Sequence, residues 1–175
     1  MQRLFILLYT ISGFAVLTFE TIWIRALAIR LGSTVVSASL VLCVFFLFAA
    51  LGNLLGGKLA ARVRRPILCY GLAEIVFACT GWAAYAAREF VWAAVAPPAP
   101  AQDGIAALAT GLLAAAGLTG LPSLLAGATF PLLSEALVRG ASRRTDVGGL
   151  LYAGNLTGAA LGVLAGGIAL PMCCG

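Results

Sequence analysis

Five times along this chain, apolar residues run on with few interruptions for 20 or so positions, and most of the charged residues collect in the gaps between the runs. The runs cover residues 4–29, 33–57, 67–94, 105–138 and 147–170. A helix crosses the ~30 Å of bilayer hydrocarbon with about 20 predominantly apolar residues, so each run is long enough to span. In lipid only helices and closed barrels satisfy their own backbone. The ~10-residue alternating segments of a barrel are missing. The pattern therefore predicts an all-α integral membrane protein: one domain over residues 1–175, built as a bundle of about five transmembrane helices.

The fourth run would reach about 50 Å at 1.5 Å per residue, well beyond one hydrocarbon thickness. Gly117, Gly120, Pro122 and Pro131 can kink it. One long broken helix is favoured over two short spans. Two spans would carry Arg139, Arg143 and Arg144 to the side opposite the other basic turns. Within the first run, the stretch from Leu4 to Ile24, about 20 residues, exceeds a signal peptide's 7–15-residue apolar segment, and the run reads as a retained span.

Composition strengthens this picture. The 175 residues are 62% hydrophobic and 10% charged, with a mean hydropathy of +1.07. A water-soluble domain usually carries about 25% charged residues. A net charge of +5 invites a nucleic-acid reading, but the basic residues form no patch interleaved with aromatics, so no nucleic-acid partner is expected. They sort by side instead. If the spans alternate, Arg3, Lys58, Arg62, Arg64, Arg65, Arg139, Arg143 and Arg144 share one end, and Arg25, Arg30 and Arg88 the other. By the positive-inside rule the first group marks cytoplasmic loops and places the N-terminus in the cytoplasm. The Pro-rich link at 96–100, Asp103, Cys173 and Cys174 then lie outside.

Glycine supplies the packing pattern. Gly154, Gly158, Gly162 and Gly166 recur every fourth residue along the fifth run, and Gly52 and Gly56 repeat the spacing in the second. Small residues so spaced make a flat helix face on which another backbone can lie. That partner is either another helix of this chain or a second subunit.

Two acids fall at membrane depth, Glu20 and Glu74, where a charge costs about 2.5–3.5 kcal/mol on insertion scales. Each sits on a stripe. Tyr9, Gly13, Val16, Glu20 and Trp23 share a face of the first helix; Tyr70, Glu74, Phe77, Gly81 and Tyr85 share one of the third, with Arg88 at its outer end. Such faces should turn inward. Glu20, Glu74, Tyr70, Tyr85 and Trp23 are thus candidate ligands for a cation or proton, with the carboxylates as counter-charges. The same acids serve equally well as buried hydrogen-bonding glue, protonated or paired with Arg25 or Arg88. Tyr152 and Asn155 are expected to hydrogen-bond between helices.

Catalytic and metal chemistry is thin. There is no histidine, no phosphate-binding glycine loop and no zinc-hydrolase motif. The serines lack a base partner. Cys43, Cys69 and Cys79 fall in apolar runs as small packed hydrophobes, and the adjacent Cys173 and Cys174 lack a metal site's spacing. No catalytic residue, cofactor or metal is assigned, and the chain is not read as an enzyme.

Several segments taken in order carry a family resemblance. They are Ser12-Gly13-Phe14-Ala15 with Glu20, Trp23 and Arg25; Gly52-Asn53-Leu54-Leu55-Gly56-Gly57-Lys58-Leu59-Ala60-Ala61-Arg62; Glu74; Gly127-Ala128-Thr129-Phe130-Pro131-Leu132-Leu133; and Leu151-Tyr152-Ala153-Gly154-Asn155-Leu156-Thr157-Gly158-Ala159. Their order and spacing resemble the membrane half of bacterial spermidine-synthase-like transmembrane proteins, themselves similar to half of a major-facilitator transporter. The loop at 56–65 also resembles the major-facilitator signature between spans two and three, but has Ala61 where that signature usually has an aspartate. The resemblance implies a bacterial cytoplasmic membrane location. It also implies further spans and often a soluble aminopropyltransferase-like domain, in which any synthase chemistry would reside. The chain is then either a stand-alone module or a piece of something longer.

Two functions follow as expectations. The first is a transporter-like module that binds or moves a small, cationic, polyamine-like solute, working as a homo-oligomer or with other membrane subunits because five spans are few to enclose a path. The second is a non-catalytic structural or assembly subunit, or a membrane anchor for a separately encoded soluble domain.

Overall fold

The computed structural model describes residues 2–95, 104–140, 145–169 and 172, and the described residues are almost entirely helical. Five helices follow one another: α1 (Gln2–Leu31), α2 (Thr34–Arg62), α3 (Pro66–Val95), α4 (Gly104–Gly140) and α5 (Thr145–Leu164), the last running into a π-helical turn at Ala165–Ala169. All five are long and apolar enough to cross a membrane. The predicted Pro-rich link at 96–100, Asp103, Arg143, Arg144, Cys173 and Cys174 lie outside the described residues.

Helix ends follow local chemistry. Between α1 and α2, Gly32 takes a positive φ of 70°, a left-handed conformation that glycine adopts without a Cβ penalty. Ser33 then caps α2, its hydroxyl accepting from the Val36 amide. Past α2, Val63 leaves the helix in an extended conformation, and Pro66 opens α3 at a position where its missing N–H costs nothing. The segment at 56–65 is mostly helix rather than the expected loop. α2 continues to Arg62, and the turn is only residues 63–65. Apart from Gly57, residues 57–62 favour a helix: Leu, Ala, Lys and Arg are good helix formers, and the charged side chains sit at the exposed end.

α4 is one continuous 37-residue helix through both Pro122 and Pro131. Each proline removes one amide from the ladder, but α2 and α3 both pack along α4. That packing outweighs the lost bonds, and neighbouring helices commonly stabilise prolines in this way.

The helices alternate in direction. One apolar cluster joins Tyr9 near the start of α1, Ala60 near the end of α2, Tyr70 near the start of α3, Leu132, Leu133 and Leu137 toward the end of α4, and Leu151 in α5. A second joins Trp23 and Leu27, Val41 and Val44, Ala115 and Leu118 at the opposite end. Lys58, Arg62, Arg64, Arg65 and Arg139 therefore share the end at which α1 begins. Arg139 ties that end together, donating to the carbonyls of Val63 at 2.8 Å and Ala60 at 3.0 Å.

The glycine faces are used inside the chain. On α5, a methyl at Gly158 or Gly162 would overlap the carbonyls of Thr10 and Phe14, and Gly154 and Gly166 meet the hydroxyls of Thr10 and Thr21. The Thr18 hydroxyl donates to the Gly162 carbonyl at 3.2 Å, just ahead of the π-helical turn. Gly52 and Gly56 of α2 lie against the backbone of α4 at Leu124 and Ala128. The open choice between an internal and an external partner thus resolves to α1 for the ladder and α4 for the second pair. Cys43 and Cys79, expected to be packed, are exposed on the outer surface.

Candidate functional site

The two membrane-depth acids sit in different surroundings. Glu74 projects from the first third of α3 toward α1, where the Ser12 hydroxyl donates to its Oε1 at 2.7 Å. Tyr70, one turn back, lies on the same face. These three line a cavity of about 510 Å³ together with Leu8, Phe19, Phe77 and Trp82. It stays open because α1 and α3 are held apart by side chains. Phe19 and Phe77 stack edge-to-face with centroids 5.9 Å apart, filling the space over Gly81.

Glu20 is 4% exposed and faces the centre of the bundle. Its chamber measures only about 10 Å³ and is walled by residues of α1, α2, α3 and α4. Its Oε2 has no hydrogen-bond partner among the described residues. Neither acid is paired with Arg25 or Arg88. The reason is reach: Arg88 lies beside Glu89 and over the Tyr85 ring, near the far end of α3, and Glu89 also takes Arg30.

The five candidate ligands therefore do not converge on one site. Glu74 and Tyr70 share a cavity; Glu20 and Trp23 share the small chamber. Tyr85 is 45% exposed and lines neither, although its ring lies 6.2 Å from that of Trp23. Tyr85 lies eight residues past Phe77, and at about 100° per residue the i, i+4 stripe has by then drifted about 80° off the buried face.

One polar feature was missed by sequence reasoning. A crevice of about 440 Å³ opens between α1, α2, α4 and α5, and its polar lining is Tyr9, Ser12, Asn53, Thr129, Tyr152 and Asn155. Tyr152 and Asn155 make no interhelical hydrogen bond among the described residues, contrary to expectation; they face this crevice. Asn155 packs against Gly13, whose missing side chain makes the room. Ser12 lines both the crevice and the Glu74 cavity, so one hydroxyl joins them. The available clue was the run of small and polar residues 52–53 and 152–155, which lone-residue arguments passed over.

Among the described residues, no Lys or Arg lines the crevice or the Glu74 cavity. With an acid in one and six neutral polar groups in the other, the arrangement suits a cation with hydrogen-bond donors. Compared with protein-family models, with curated proteins and with solved structures, the chain matches none.

Proposed function

We propose that this chain is a transporter-like membrane module that binds a small, cationic, polyamine-like solute. The solute lies in the crevice between α1, α2, α4 and α5, with Glu74 as counter-charge through Ser12. The observation that carries the reading is the shared Ser12, which links an amide- and hydroxyl-lined crevice to a carboxylate with no cation beside it among the described residues. An ammonium group offers three donors and no acceptor, which the carboxylate, the hydroxyls and the two asparagine carbonyls complement. The resemblance to half of a major-facilitator transporter supports the same reading. By the positive-inside rule the basic end shared by α2 and α4 is the cytoplasmic one, and the same resemblance implies a bacterial cytoplasmic membrane. A second half, from another copy or another subunit, would close the crevice.

Equilibrium binding of radiolabelled spermidine to the protein in lipid nanodiscs tests this. Losing one charge partner should weaken binding about tenfold, some 1.4 kcal/mol, in Glu74→Gln. A wild-type protein that does not bind, or a variant that binds equally well, overturns the reading. The alternative of a structural subunit or anchor loses one of its supports, because the glycine ladder is already covered by α1.

A further inference from the structure

Glu20 sits where three larger cavities nearly meet. Its chamber shares Val16 and Phe45 with the crevice, Phe19 and Phe77 with the Glu74 cavity, and Trp23 with a fourth cavity of about 400 Å³ lined by Arg30, Arg88 and Glu89. The crevice takes its α1 residues from 9–17 and the fourth cavity from 23–30. Glu20 thus lies between a polar space toward one end of the bundle and a charged space toward the other. An aromatic ring closes each side: Phe45 beside Val16 on the first, Trp23 on the second.

Inside the chamber, the groups available to the carboxyl are acceptors. The Thr119 hydroxyl donates to the Ala115 carbonyl at 2.8 Å and the Ser123 hydroxyl to the Thr119 carbonyl at 2.6 Å, so both hydroxyl protons are spent on α4. Each oxygen keeps lone pairs. The rest of the wall is Val16, Phe19, Trp23, Phe45, Phe77 and Pro122. The Trp23 indole N–H is the other donor in that wall, and it is not bonded to Oε2. An ionised carboxylate is acceptor-only and would find acceptors; a protonated one brings its own donor and finds partners. About 10 Å³ is also the lower limit for one water molecule, too little for a hydrated ion. Among the described residues, no second titratable group lines the chamber. Phe45 comes from α2, Phe77 from α3, and Thr119, Pro122 and Ser123 from α4.

We propose that Glu20 is a proton-binding site, closed from the crevice by Phe45 and from the opposite cavity by Trp23, which takes up and releases one proton when either ring moves. The proton comes from water in the adjoining cavity, goes to a Glu20 carboxyl oxygen and returns by either side. The site stands apart from solute binding: it holds whether or not spermidine binds at the crevice.

Infrared spectroscopy of the protein in lipid at neutral pH tests it through the carbonyl stretch of a protonated carboxylic acid. A band is expected in the wild type, retained in Glu74→Gln and lost in Glu20→Gln. Thr119→Val and Ser123→Ala, which remove the acceptors, should each shift the band, and they serve as the test should Glu20→Gln fail to fold. Phe45→Ala or Trp23→Ala should speed the band's deuterium shift about tenfold, because exchange of a sealed group follows the cost of opening its seal. The absence of a band, a band that neither hydroxyl variant moves, or a band removed by added sodium at fixed pH overturns the proposal.

Discussion

The two sides of α1 are built on opposite plans. Toward α5 the helix is closed at the level of backbone: Gly158 and Gly162 lie against the Thr10 and Phe14 carbonyls, and Gly13 lies against Asn155. Toward α3 it is held off by side chains. The Phe19 ring stands 3.1 Å from where a Cβ on Gly81 would sit, Ser12 reaches Glu74 at 2.7 Å, and about 510 Å³ stays open. Where the two backbones touch, no volume remains between them, and the crevice opens only beside that seam, toward α2 and α4. Where rings and long side chains set the spacing, a polar cavity survives in an otherwise apolar bundle. The first plan holds the fold and leaves the crevice only at its edge; the second keeps a cavity open around an acid.

The contrast can be broken by substitution. The largest effect is expected on the closed side. Gly158→Ala pushes a methyl into the Thr10 carbonyl, which cannot move without displacing a helix. It should cost about 1–3 kcal/mol of stability, as overpacking does, measured by denaturant unfolding in mixed micelles. Next comes the hydrogen bond across the open side. Ser12→Ala should cost about 1 kcal/mol, and a double-mutant cycle with Glu74→Gln should show that the two changes are not additive. The smallest effect is expected at Gly81→Ala. The ring it meets can rotate away and alanine is the better helix former, so the net change should stay within about 0.5 kcal/mol. If Gly81→Ala proves as harmful as Gly158→Ala, the two sides of α1 are not built differently.

The spans were legible because lipid constrains them so strongly. Five apolar runs, with charged residues concentrated at their ends, leave helices as the only way to satisfy the backbone. The boundaries ran short, as at α2, because charged helix formers such as Lys58 and Arg62 look like loop in a hydropathy profile while extending a helix in space. The candidate site was legible only in part. Helical periodicity placed Glu20, Trp23, Tyr70 and Phe77 correctly on buried faces, since the 100° step is local. It could not tell that Glu20 and Glu74 would occupy separate spaces, because that depends on the distance between α1 and α3. Nor could it find Asn53 and Asn155, about a hundred residues apart, lining one crevice.

By itself, then, the sequence determined the solvent, the number and kind of helices, and the faces that must turn from lipid, because each of these follows from transfer energies and local helical geometry. Tertiary structure alone decided which helix covers the glycine ladder, that Ser12 rather than an arginine meets Glu74, and that Glu20 is enclosed by rings between three cavities. Those outcomes depend on how closely particular backbones can approach, and a chain reveals that only once its helices have packed.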